Sequence, residues 1–254
     1  MPRKAGNSST YDFTMKDKST GLWADDYTIS LPSVSTILKV LDKPALPAWA
    51  YRKTRDTFVG LASLFEDQQQ EFFDTFTDPD MAEEYLAENR LRPNDLAYED
   101  SERGHREHNV LHRLAVEGLR PKEPMSGWSR GILDWWGERS PIVVDAECEV
   151  WSTRHQLAGT MDLAWRWRSE DGKLVLTDLK TRRQMDYVYV SDFLQLVGYR
   201  ICWLEMGGTM PDKLTVLVVG EDGEWGEYEV PPTLDDDAAY LEVKAVYDRL
   251  ARLE

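Results

Sequence analysis

The stretch LAGTMDLAWRWRSEDGKLVLTDLKT, Leu157 to Thr181, decides the fold. Met161, Leu163, Trp165 and Trp167 alternate, Asp171-Gly172 marks a turn, and Leu174, Val175 and Leu176 resume the apolar run, which predicts two strands joined as a hairpin. In the second strand Asp178 and Lys180 project from one face and Leu179 points the other way, into the core. Folding about Glu170 or Asp171 sets Asp162 opposite or nearly opposite Asp178. Like charges facing across two strands cost on the order of 0.2–1 kcal/mol, so this pair calls for a compensating cation. Mg²⁺ or Mn²⁺ fits two carboxylates and a strand carbonyl better than Zn²⁺, which favours His and Cys. Lys180, on the same face, is placed to orient or deprotonate an attacking water and to stabilise charge growing on a phosphate.

Outward from the hairpin, a helix signal follows in which Gln195 and Tyr199 stand at i and i+4 and share a face. The elements G-x-x-D (Gly159, Asp162), D-x-K-T (Asp178 to Thr181) and Q-x-x-x-Y (Gln195, Tyr199) together resemble the PD-(D/E)XK nuclease superfamily, in its RecB-like and phage-exonuclease branch. The resemblance implies an α/β fold with a restriction-endonuclease-like core, a central mixed β-sheet flanked by helices, and an N-terminal helical part. It also implies metal ligation by His108, Asp162, Asp178 and the Leu179 carbonyl, His108 because it stands four residues after Gly104. Glu147, three residues before Val150, matches a glutamate that approaches the metal in RecB-like members, and Glu149 on the same strand face competes with it. Lys180, Asp178, Asp162 and Glu147 are then the catalytic set. Gln195 is implied to position the strand or the water, and Tyr199 to contact the DNA backbone.

Composition bounds the rest. A chain of 254 residues with 42% hydrophobic content builds one large domain, or one with an appended helical part. It has no run of about 18 apolar residues and no signal-peptide pattern, so a soluble cytoplasmic protein without a membrane partner is expected, in a bacterial host if phage-encoded. Cys148 and Cys202 cannot supply four thiolates, which excludes the iron–sulfur cluster of the CRISPR-associated relatives and leaves them as buried free thiols. The 30 basic and 46 acidic residues give a net charge of −16, so attraction to phosphate is not a whole-molecule property. Glu66 to Glu102 holds 13 of the acids against only Arg90 and Arg92, which leaves 33 acids against 28 bases elsewhere and room there for a nucleic-acid surface. No phosphate-cradling glycine loop points to an ATP-driven motor.

Along the chain, residues 1–27 are expected as a flexible arm, 28–125 as a helical N-terminal part and 126–254 as the nuclease core, with His108 contributed by the preceding helix. Ser33 is placed to cap a helix carrying Val34, Ile37, Leu38 and Leu41, and a second helix near Pro47 carries Arg52, Lys53 and Arg55 toward DNA or solvent. The acidic segment 66–102 reads as a helical appendage anchored by buried Phe72, Phe73, Phe76, Tyr85 and Leu86 and broken at Pro79. It is either solvated or a dock for a basic partner. From about Asn94 to Gly118 a helix sets His105, His108 and His112 on one face, His105 and His112 being expected beside the site or at the surface.

The strand PIVVDAECEVWS is expected to turn Val144, Ala146, Cys148 and Val150 to the core and Asp145, Glu147 and Glu149 away from it. Arg182 and Arg183, directly after the catalytic strand, suit a grip on scissile-strand phosphate. Ser191 is expected to cap the Gln195 helix. Thr233 is expected to cap a last helix whose Ala239, Val243, Val246, Leu250 and Leu253 close the core. The function expected is a Mg²⁺- or Mn²⁺-dependent deoxyribonuclease, an exonuclease acting from DNA ends in phage-type recombination or replication. A recombination or single-strand-annealing protein is its implied partner, and homo-oligomerisation fits the resemblance. The alternatives are a structure- or site-specific endonuclease, and a non-catalytic DNA-end or protein-binding module on the same fold.

Overall fold

The computed structural model describes residues 3–4, 10–15, 27–41, 55–57, 59, 61, 75–122, 125–168, 172–183 and 188–253. Packing divides the chain into two units, Met1–Leu41 with Glu107–Glu254, and Asp42–Arg106. Residues 28–41 therefore group with the sheet and not with the acidic segment.

In the first unit, β1 (Arg3–Lys4), β2 (Thr10–Met15) and β3 (Tyr27–Pro32) form a three-stranded antiparallel sheet. The expected loose arm thus contains a strand. Tyr11 and Phe13 alternate on β2 and are buried with Leu31 against Ala158, and the Tyr11 hydroxyl shares a 2.8 Å hydrogen bond with that of Thr160. Helix α1 (Val34–Ile37) follows, capped by Ser33 as expected: its hydroxyl accepts the Thr36 N–H at 3.0 Å. A 3₁₀ turn, Leu38–Val40, extends it.

Helix α2 (Pro79–Glu88) belongs to the second unit, and Asp78 caps it by accepting from the Asp80 and Met81 N–H groups. Pro79 is the first residue of the helix, where its missing N–H costs nothing. Phe76 meets Tyr85 edge-on at 5.4 Å, but α2 buries no residue fully, and Phe76, Tyr85 and Leu86 are half-buried. Too few apolar groups accompany the acidic ones there to exclude water. Phe72, Phe73, Arg52 and Lys53 lie outside the described residues, and Arg55 is exposed and paired with Asp56 at 2.6 Å.

Helix α3 (Pro93–Glu117) carries His108 in its first-unit part, and α4 (Gly127–Arg139) follows behind the N-cap Ser126. Next come β4 (Ile142–Ser152), β5 (Leu157–Arg166), β6 (Leu174–Thr181), α5 (Val190–Glu205), β7 (Lys213–Val219), β8 (Trp225–Glu229) and α6 (Asp237–Leu250). The five strands form one mixed sheet in sequence order, antiparallel except for β6 and β7, which are parallel and joined through α5.

Helices cover both faces of this sheet, which is why β6 and β7 read as nearly continuous apolar runs. Leu176, Val216 and Val218 face Val34, Leu196, Val197 and Tyr240 of α1, α5 and α6, while Val175, Leu179, Leu217 and Val219 face Leu111, Leu114, Ile132 and Trp135 of α3 and α4. In the second layer Trp165 meets Trp135 edge-on at 5.7 Å and donates its indole N–H to the Thr177 hydroxyl at 2.8 Å. Its polar handle is thereby satisfied inside the core.

Three sequence expectations fail in this unit. A bulge between Val143 and Asp145 rotates Val144 out of the core, to 44% exposure. Helix α5 is capped at Tyr189, whose N–H donates to Asp192, and not at Ser191. Helix α6 is capped by Asp236 and buries Tyr240 and the Lys244 stem, leaving Val246, Leu250 and Leu253 exposed beyond the sheet edge. Among the described residues no helix is long and apolar enough to cross a membrane.

Candidate metal centre

The site begins where β5 and β6 stop pairing. Their register runs from Arg166 opposite Leu174 to Leu163 opposite Thr177, which confirms the hairpin alignment and puts Asp162 and Asp178 next in line. There the ladder gives way to a side chain: the Leu179 N–H donates to the Asp162 carboxylate (Oδ2) at 2.7 Å. A buried carboxylate that accepts a backbone N–H is fixed in direction.

Strand β4 distorts at the same level. Ala146 pairs with Leu163 and Cys148 with Met161, flanking Glu147 and Asp162. Yet Ala146 and Leu163 pack with α3 and α4, while Cys148 and Met161 pack with α5. Residues two apart in a regular strand share a face, so the hairpin changes faces here, and Met161 leaves the row of Leu163 and Trp165 in which its spacing set it. Glu147 sits at the change with φ 50°, left-handed for a non-glycine residue. Such backbone costs roughly 1–2 kcal/mol and persists where the surroundings hold it.

From α3, the His108 ring (Nδ1) lies 3.1 Å from Asp162 Oδ1 and 3.9 Å from Glu147 Oε1. One donor atom from each of His108, Glu147 and Asp162 falls within 4.8 Å of the others. The preceding Glu107 anchors the helix: its buried carboxylate accepts the Ser126 and Ser129 hydroxyls at 2.8 and 2.6 Å, tying α3 to the start of α4. Burial lowers the His108 imidazolium, but the charge and hydrogen bond of Asp162 outweigh it and raise the group to about 9. Burial likewise raises the Asp162 carboxyl, and His108, Lys180 and the Leu179 N–H bring it below the usual range.

Asp178 faces the α5 side. Both its oxygens are buried without a hydrogen bond, the Lys180 ammonium standing 2.7 Å from Oδ2 off the bonding axis. Burial, helped by Asp162, outweighs Lys180 and raises this carboxyl to about 6. Asp178 is not in the close donor group of His108, Glu147 and Asp162, and Leu179 meets Asp162 through its N–H. Lys180 donates to Gln195 Oε1 at 3.1 Å, and Gln195 Nε2 donates to the Tyr199 hydroxyl at 2.7 Å. Tyr199, expected from the resemblance to contact DNA, is 5% exposed, with its hydroxyl engaged by Gln195. Gly159 explains the burial: a Cβ there would stand 2.5 Å from the Tyr199 ring.

The arginines divide. Arg182 donates to Asp192 and stacks over the Tyr189 ring at 4.6 Å, fastening the end of β6 to the start of α5, so it is no free phosphate grip. Arg183 is exposed and 3.8 Å from Glu221. Glu149 pairs with Thr160 outside the donor group, His105 is exposed near Glu102, and His112 keeps a buried ring nitrogen without a hydrogen bond. Both cysteines are free, Cys202 buried and Cys148 half-buried. Sequence reasoning missed Asp192 and Tyr11. The alternation of Tyr11 and Phe13 was the available signal for the second.

One imidazole and two carboxylates, from His108, Glu147 and Asp162, form a group that could hold a metal ion. Buried carboxylate oxygens without partners are expensive unless something compensates them.

No protein-family model matches this chain, and neither does any curated protein. Among solved structures it matches the crystal structure of SSO0001 at 19% identity and a TM-score of 0.31, over 46% of this chain and 54% of that one. The match spans about half the length of SSO0001.

Proposed function

We propose that the chain is a Mg²⁺- or Mn²⁺-dependent deoxyribonuclease, an exonuclease that hydrolyses phosphodiester bonds from DNA ends. The observation that carries the reading is the convergence, where β5 and β6 part, of the His108, Glu147 and Asp162 donor group with a buried Asp178 that lacks hydrogen bonds. Lys180 stands 2.7 Å from that carboxylate. His108, Glu147 and Asp162 would hold the ion. When bound, the ion stabilises charge on the phosphoryl and leaving oxygens.

The chain's own residues do the rest. Asp162, fixed by the Leu179 N–H, and His108, fixed through the Glu107 anchorage of α3, present ligand atoms that need little reorganisation. The Lys180 ammonium is raised above its ordinary range: burial opposes the charge, and Asp178, Asp192 and Asp162 outweigh it. It therefore stays protonated, donating toward the attacking water and a phosphate oxygen, which favours orientation over deprotonation. Dependence on ends, and a role beside a recombination or annealing protein, follow from the motif resemblance.

The test is digestion with Mg²⁺ or Mn²⁺ of end-labelled linear duplex, linear single strand and closed circular DNA in parallel. Loss of linear substrates with intact circles is the expected result. Nicked circles would replace the exonuclease with an endonuclease, and no cleavage of any substrate would overturn the reading.

A further inference from the structure

The Q-x-x-x-Y pair has no surface to offer DNA through Tyr199, which leaves its use to be found among its contacts. The Lys180 ammonium faces Asp178 Oδ2 at 2.7 Å and donates to Gln195 Oε1 at 3.1 Å. Asp178 supplies the counter-charge, and Gln195 supplies a neutral acceptor on a second side, so the two together set the direction of the ammonium. A lysine ammonium can only donate, so Gln195 must turn its oxygen to Lys180 and its NH₂ to Tyr199. The 2.7 Å bond to the Tyr199 hydroxyl then anchors the far side of the amide. Tyr199 is held in turn by close packing: its ring fills the space over Gly159 where a Cβ would approach to 2.5 Å.

We propose that Gln195 and Tyr199, seated on Gly159, are a positioning relay that aims Lys180 at the reacting phosphate, and are not a DNA contact. The inference rests on the nuclease reading for what Lys180 does, and on the geometry alone for how Lys180 is held. Each member is needed for the next. The helix i, i+4 spacing brings Gln195 and Tyr199 together, and α5 packs over β5 and β6 at the required height.

Gln195→Met keeps the side-chain length and removes both bonds, so kcat should fall about 100-fold, the scale of a misplaced catalytic group, with KM for DNA unchanged. Tyr199→Phe removes only the hydroxyl and should lower kcat about 10-fold. Because the two act in series, the double variant should be no worse than Gln195→Met alone. Gln195→Glu retains an acceptor for Lys180, to which the Tyr199 hydroxyl can donate, and should recover most of the loss. Duplex affinity, read by fluorescence anisotropy in Ca²⁺, should be the same in all variants.

Additive losses, a weakened duplex affinity or failure of Gln195→Glu to recover would each overturn the relay. A second readout needs no cleavage: acetylation of Lys180 by an N-hydroxysuccinimide ester, followed by peptide mass spectrometry, should be faster in Gln195→Met and Tyr199→Phe than in the parent. If the parent cleaves no DNA, the nuclease reading falls and the labelling alone decides: faster labelling upholds the relay and an unchanged rate overturns it.

Discussion

The two ends of the β5–β6 hairpin are built from the same strands and do opposite things. Toward the turn, pairs from Arg166–Leu174 to Leu163–Thr177 form a regular ladder, with Trp165 and Leu176 filling opposite cores and the Trp165 indole satisfied by Thr177. One residue further on, the ladder has ended, β4 takes a left-handed residue at Glu147, and Asp162 and Asp178 are buried within the same sheet. The turn end keeps its β5–β6 ladder, although β4 bulges beside it at Val144. At the other end the ladder stops, and His108, Glu147 and Asp162 gather there.

The contrast breaks most sharply on substitution. Asp178→Asn should lower cleavage on the order of 10⁴-fold, about 5.5 kcal/mol in the barrier, and should also lower the melting temperature, because it removes the charge that the Lys180 ammonium faces at 2.7 Å. Steady-state assays beside thermal melts check both halves of the statement. At the regular end, Trp165→Ala should cost about 4 kcal/mol in urea unfolding through the emptied space against Trp135 and the lost bond to the Thr177 hydroxyl.

Glu147→Gly should instead stabilise the metal-free protein by about 1 kcal/mol, because glycine accepts φ 50° without strain, and it should weaken Mn²⁺ binding in calorimetry. A loss of stability would show that the Glu147 conformation is not strained. A further effect is one of pH. His108 is raised from 6.5 to about 9 in the fold, so the folded state holds an extra proton between those values. Its contribution to stability is full below pH 6.5 and lost as pH rises toward 9. Melts in EDTA across that window should show a decline that His108→Gln flattens.

Much of the regular end was legible in the sequence, because alternation and a turn signal fix a hairpin register wherever both faces are buried. The Ser33 cap was legible for a similarly local reason. At the irregular end the residue types were readable but their directions were not. The bulge at Val144 and the left-handed Glu147 carry no glycine to announce them, so simple alternation put Val144 in the core and Met161 in the wrong layer. The pairing of Arg182 with Asp192 and the seating of Tyr199 on Gly159 were not legible, because these contacts form only once the fold brings the residues together. The apolar stripe of α6 was over-read for a different reason: periodicity says which residues share a face but not how far the covering layer extends.

The most direct test of the account is a single pair of assays on the parent and Lys180→Ala: Mn²⁺ binding by calorimetry, and Mn²⁺-dependent digestion of end-labelled linear duplex DNA. The account predicts that both proteins bind Mn²⁺, that only the parent degrades the duplex, and that EDTA stops it. Degradation by Lys180→Ala at the parent's rate, or degradation by the parent in EDTA, would contradict it.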